Sequence, residues 1–190
     1  AMVRGWPLQE GLIDHPLKRM LDDLPGSQRR SACRLEGGAP TQPADGRAER
    51  QTAQSATTAW RSLARYELPL AHGAFERTRA ALMELRPLTG RRHQLRRHMK
   101  HIAHPIIGDA THGKGPLNRA VVEFFEEQAR QVATEWAEPQ GFQRLWLHAL
   151  ELRLQHPLTG ASLCLHAPID GRWAVWDAYR VGLAGPEVAA

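Results

Sequence analysis

Two cysteines, Cys33 and Cys164, in 190 residues are too few and too far apart for a disulfide framework or a CxxC metal site. A reducing compartment suits such a chain, so a cytoplasmic protein is expected. No apolar run approaches the ~20 residues that a membrane span needs. The N-terminus has no h-region of a signal peptide. Neither a membrane partner nor secretion is therefore expected. Internal repeats are missing, and so is a methionine at position 1. The opening Ala1-Met2-Val3-Arg4-Gly5-Trp6 reads as the end of a strand already begun, which creates the expectation of further sequence upstream.

What is present is ordinary globular material with a basic balance. Apolar residues make up 42% and charged residues 24%, enough to bury a core within one domain or a large part of one. The formal charge is +5 and the isoelectric point about 9.9. Arginine dominates the positive side, and its guanidinium favours bidentate contacts with phosphate. Ten histidines add positive charge below about pH 6.5. This balance points toward nucleic acid without proving it.

Along the chain, Gly11 to Leu17 reads as a short extended piece closed by Pro16. Residues 25–55 are rich in Gly, Pro, Ser, Gln, Arg and Ala, which predicts a long loop or mobile insertion. Its arginines Arg29, Arg30, Arg34, Arg47 and Arg50 are either solvated or in contact with RNA. Strands are expected from Thr57 to Leu70 and from Arg77 to Leu85, the second ended by Pro87 and Gly90. A helix is expected just after Gly90, stopping at His104-Pro105. Asn118 is expected to cap a second helix through Trp136. Strands from Arg144 to Leu154 and from Ser162 to Ala167 flank the turn signal His156–Gly160. A closing helix is expected from Trp173 to Leu183.

The densest chemistry lies in Leu88–Gly108, LTGRRHQLRRHMKHIAHPIIG. Three readings compete. His93, His98, His101 and His104 form a poor metal set, because the spacing winds around a helix and no cysteine or carboxylate lies among them. An amphipathic helix with a solvated basic face fits Lys100 and His101. It fits Arg96 less well, because Arg96 borders the apolar stripe of Leu95, Met99 and Ile102, where a charge requires a partner. The third reading is an active-site helix that gives one arginine to a buried carboxylate and others to RNA phosphates.

The run TGRRHQLRRHMKHIAHPIIGD resembles, without a gap from Leu88 to Asp109, the signature of RluA-family pseudouridine synthases, roughly L-x-T-G-R-x-H-Q-(I/L)-R-x-H followed by HPI-x-GD. AMVRGW, GLIDHPL, LWLHALELRLQHPLTG and SLCLHAPI resemble further segments of that family. The combination of Arg91, Arg92, His93, Arg96, Arg97 and His98 with His112, Gly113 and Asn118 most resembles members acting on a T-stem uridine of tRNA. The resemblance implies an α+β fold with a mixed, largely antiparallel sheet and packed helices, over residues 1–190. It implies isomerisation of an RNA uridine to pseudouridine, with no cofactor and no metal. The target is flipped out of its stack and attacked by an aspartate. The glycosidic bond breaks, and the base turns and rejoins through carbon.

Within that scheme Arg96 is the expected catalytic residue, paired with the nucleophilic aspartate. Arg91, Arg92, Arg97 and Lys100 are candidate RNA-phosphate contacts, each with plain solvation as the alternative. Leu147 is expected to wall the uracil pocket or to be ordinary core. His93 and Gln94 are expected scaffold residues, Asp109 a structural one, and His148 a satisfied core histidine. The aspartate motif H-R-L-D-x-x-(S/T)-S-G has no match in the chain, and Tyr66 and Tyr179 do not stand where the family tyrosine does. The chain alone is thus expected to be inactive. An exposed sheet edge or apolar face is expected to favour dimerisation. A non-catalytic RNA-binding module is the rival reading.

Overall fold

A computed structural model describes residues 1–19, 53–132 and 141–183. Most of the loop expected at 25–55, with its five arginines, lies outside the described residues, and so does Trp136. The elements are β1 (Met2–Arg4), β2 (Glu10–Asp14), β3 (Thr57–Leu68), β4 (Thr78–Pro87), α1 (Gln94–His101), α2 (Gly115–Val132), β5 (Glu151–Gln155), β6 (Ser162–His166), a 3-10 helix (Gly171–Tyr179) and β7 (Arg180–Leu183). The class is α+β with antiparallel pairing, as the sequence implied.

The main sheet runs β1-β4-β3-β2, and β7 also pairs with β3. Two strands share one edge of β3 because β3 is long and kinked. Its first five residues pair with β2, from Asp14↔Thr57 to Glu10↔Arg61. Its later part takes β7, with Ala64↔Leu183 and Tyr66↔Arg180. Between them the β3–β4 register shifts at Ser62/Ala64, a bulge that bends the strand and re-aims its side chains.

Alternation along these strands builds two cores, one on each face. Met2, Ala64, Tyr66, Leu68 and Ala80 face α2 and the aromatic pair Trp173 and Trp176. The apolar row Leu117, Val121, Phe125 and Ala129 of α2, spaced four residues apart, fills that side. Val3, Ala81 and Met83 point the other way and meet Met99 of α1 and Ile106.

Three expected elements differ from the structure. Asn118 does not cap α2, which begins at Gly115. Its amide is spent instead on the Gly108 N–H, accepted at 3.0 Å, and on the Asp109 carbonyl, to which it donates at 3.0 Å. The strand expected from Arg144 covers only Glu151–Gln155. The preceding residues include two three-residue turns, Arg144 N–H to Phe142 O and Leu147 N–H to Leu145 O, while Trp146 donates to Ile107 O and accepts from Met2 N–H and Leu150 O accepts from Ala167 N–H. The closing helix is a 3-10 segment followed by β7. Asp170 caps its start by accepting from the Arg172 N–H, and β3 still offers an open edge that draws Arg180–Leu183 into a strand.

Candidate active site and RNA-facing helix

The first helix is fastened at both ends. His93 at its start has φ 53°, ψ 25° and no side-chain cap, a left-handed conformation uncommon outside glycine. The neighbouring Gln94 compensates and is 4% exposed. Its Oε1 accepts from the Arg91 N–H and from Thr89 Oγ1, and its Nε2 donates to Thr57 O and Thr58 Oγ1. Thr89 Oγ1 in turn accepts from the Thr57 N–H. One buried amide thus ties α1, the end of β4 and the start of β3 together, and all its hydrogen-bonding groups are used.

The far end stops on a Schellman motif. His104 N–H donates to Met99 O and Ala103 N–H to Lys100 O, with Ala103 at φ 65° where glycine is usual. The Nδ1 of His104 then contacts Arg4 O at 2.8 Å, fixing the helix end against β1.

The histidines of this helix serve the frame. His98 is fully buried, with Nε2 3.0 Å from His15 O and Nδ1 2.9 Å from Thr58 Oγ1. Burial pulls its pKa below the ordinary value, and the carbonyl partner requires a proton on Nε2 in that neutral ring. His101 stacks on His15 with ring centroids 3.7 Å apart. His93 Nδ1 lies 3.2 Å from His112 Nε2. His148 Nε2 is 2.8 Å from Ala167 O.

Arg96 has the partner that its border position demands. Its Nε and Nη2 each donate to Asp109 at 2.7 Å, a bidentate pair. The Arg96 side chain is 17% exposed and that of Asp109 0%. Burial alone would raise the Asp109 pKa. The Arg96 guanidinium and the N–H groups of His112 and Thr111 overcome that and hold it at about 2. Asp109 therefore stands as a buried carboxylate that accepts four hydrogen bonds, three at Oδ1 and one at Oδ2.

Gly108 and Gly113 make room for this arrangement. A Cβ on Gly108, at φ +78°, would run into the Arg144 carbonyl, and one on Gly113 into the Asp109 carbonyl. Both glycines are required by close backbone approach.

The remaining expected contacts separate. Arg91 is exposed, and its Nε donates to Ser55 O at 3.0 Å. Arg97 Nη1 donates to Lys18 O at 2.9 Å. Arg92 and Lys100 are exposed on the same helix region. Leu147 is half-buried and packs on the Val3/Met83/Met99 core.

Comparison with known proteins gives the family of the chain. The sequence profile of a family described as RNA pseudouridylate synthase matches residues 1–101. Proteins named tRNA pseudouridine synthase C are 43% identical over 174 residues in Vibrio cholerae, 39% over 173 in Yersinia pestis and 37% over 173 in Salmonella typhi. The chain belongs to the RNA pseudouridylate synthase family. Each match covers 91% of this chain and 54–57% of the relative, so the chain spans about half the length of the curated relatives it matches. A solved structure titled Human RNA Pseudouridylate Synthase Domain Containing 1 superposes with a TM-score of 0.52 at 24% identity. It covers 96% of this chain and 58% of its own, which shows the fold.

In this pseudouridylate synthase chain the Arg96–Asp109 pair is the feature that sequence reading left unjoined. The need for a partner at Arg96 was legible, and the GD dipeptide at Gly108-Asp109 was noted as structural. Their thirteen-residue separation across the Schellman stop hid the contact. No helix among the described residues is long and apolar enough to cross a membrane. No group of three or more potential metal ligands is assembled among them.

Proposed function

We propose that this chain is the C-terminal part of a catalytic domain that converts a uridine of tRNA, in the T-stem, to pseudouridine. The Arg96–Asp109 pair carries the proposal. A guanidinium has five N–H donors, and Asp109 takes two of them. The others remain able to meet a second carboxylate or a phosphate. Asp109 fixes the plane of Arg96, and Arg96 then holds the nucleophilic aspartate ionised and oriented. That aspartate belongs to an H-R-L-D motif that the 190 residues do not contain. Arg91, Arg92, Arg97 and Lys100 supply phosphate contacts, and Leu147 walls the base. No cofactor or metal enters this scheme. Exposed leucines on the β5–β6 ribbon support self-association as part of the same reading.

The test is tritium release from a 5-tritiated uridine tRNA transcript. The 190-residue chain is expected to bind the transcript and release nothing. The protein with the H-R-L-D segment in frame ahead of Ala1 is expected to release tritium. Arg96→Ala in that protein should lower kcat by at least ~100-fold, about 2.7 kcal/mol of barrier, with tRNA affinity changed less than about twofold. Release by the 190-residue chain would put the chemistry on one of its own carboxylates. Undiminished release by Arg96→Ala would remove Arg96 from the reaction. The carboxylate that pairs with Arg96 among the described residues is Asp109, which keeps one rival, a non-catalytic RNA-binding module. In that case the longer protein binds tRNA without release.

A further inference from the structure

A second basic surface lies at the hairpin end of β3 and β4, and none of its residues belongs to α1. It is a groove of about 790 Å³, within the roughly 300–1,000 Å³ usual for ligand sites. Arg4, Arg65, Arg77 and Arg79 line it against two carboxylates, Glu67 and Glu76. Glu67 is shared between Arg77 at 3.6 Å and Arg79 at 3.5 Å, long contacts that leave both guanidinium groups mostly in solvent. The Nε of Arg65 is buried with no hydrogen-bond partner among the described residues.

Aromatic groups are interleaved with these charges. The Arg79 guanidinium lies 4.3 Å from the centroid of the Trp6 ring, and Trp6 is anchored by donating from Nε1 to Tyr66 O at 3.0 Å. Phe75 is 66% exposed. It is not on a loose loop. His72 and Phe75 exchange both backbone hydrogen bonds, at 2.9 and 3.2 Å, around a two-residue turn with Gly73 at φ +62°. Gly73 takes the positive φ of the first central position of such a turn. Thr78 Oγ1 closes the base of the hairpin by donating to Leu70 O at 2.8 Å.

A rigidly presented, exposed phenylalanine among excess arginines matches the chemistry of unpaired RNA, where bases stack on rings and guanidinium planes and phosphates meet cations. We propose that the Phe75–Arg79 hairpin and Arg4, Trp6 and Arg65 form a second RNA-contact groove that holds unpaired nucleotides of the substrate RNA, with one base stacked on Phe75. This rests on the RNA reading above and extends it to a surface that the motif does not include. The groove abuts the C-terminal end of α1, because His104 holds the Arg4 carbonyl.

The test uses the full 190-residue chain and a fluorescein-labelled dodecauridylate, with a tRNA transcript in parallel. Phe75→Ala is expected to weaken dodecauridylate binding about tenfold without changing its salt dependence, and Phe75→Trp to restore it. Arg77→Ala should flatten the log Kd against log salt slope by about 0.7. Both side chains are largely exposed, 66% for the Phe75 residue and 65% for the Arg77 side chain, so the thermal midpoint should stay within about 2 °C. Unchanged affinity in Phe75→Ala, or an unchanged slope in Arg77→Ala, overturns the groove. A parent chain that binds neither RNA refutes the RNA reading itself. A parent that binds while both variants match it refutes the groove alone.

Discussion

β3 and β5 are both strands of antiparallel pairs, and they differ in what covers them. Thr58, Ser62, Ala64, Tyr66 and Leu68 of β3 are buried, with helices on both faces of the sheet. Every residue of β5 is exposed. Leu152 of β5 is 59% exposed and Leu154 37%, and Leu165, opposite Leu152, is 54% exposed. The ladder of β5–β6 runs without the register shift that interrupts β3–β4, yet it packs on neither core. Backbone pairing therefore shapes both regions, while burial distinguishes them, and a two-stranded ribbon without a covered face is marginal in water.

The largest effect is expected where the main body is tightest. Gly108→Ala puts a methyl into the Arg144 carbonyl and strains a positive φ, at a cost of about 3 kcal/mol or more. Urea unfolding of the variant should show a midpoint lowered accordingly. A variant with the parent midpoint would mean that the two segments separate at little cost.

Next in size is the pH response of Asp109. Its folded pKa of about 2 lies below the ordinary 3.8, so the folded state releases the proton more readily than the unfolded one. The resulting stabilisation is fully present above about pH 4 and fades as pH falls toward 2. It amounts to about 2 kcal/mol. Asp109→Asn should unfold more readily at pH 6 and lose less stability than the parent between pH 4 and 2. Parallel pH curves would count against the ion pair.

Least is expected of the ribbon. Leu152→Ser with Leu154→Ser should alter stability by no more than about 0.5 kcal/mol per site. Binding of a hydrophobic dye should fall, and so should any self-association seen by sedimentation. A large loss of stability would show that these leucines are covered in solution and would erase the contrast with β3.

Much of this was legible in the residues. The strands expected from Thr57 and from Arg77, the second ended by Pro87 and Gly90, match β3 and β4, and α1 follows from the Leu95/Met99/Ile102 stripe. The family followed from one ungapped run, Leu88 to Asp109. What escaped depended on distant partners. Asn118 has the composition of a cap, but the chain uses it to bind Gly108 and Asp109. Trp173–Leu183 has helical spacing, yet its last four residues become a strand because β3 leaves an edge open. The Arg96–Asp109 contact needed the Schellman turn at Ala103, a left-handed alanine that no local rule favours. The groove at Phe75 lies outside every motif, and its only sequence trace is the alternation of arginines around a tight turn.

The divided edge of β3 also bears on how the chain is made. β2 precedes β3 and can pair as soon as Arg61 has left the ribosome. β7 is synthesised roughly 115 residues after Tyr66, its partner. At the ~5–20 residues per second of bacterial and eukaryotic synthesis, the second half of that edge waits on the order of 10 s. During that interval Ala64–Tyr66 offers an unpaired edge beside buried-type side chains, and a nascent neighbour or a chaperone can occupy it before β7 arrives.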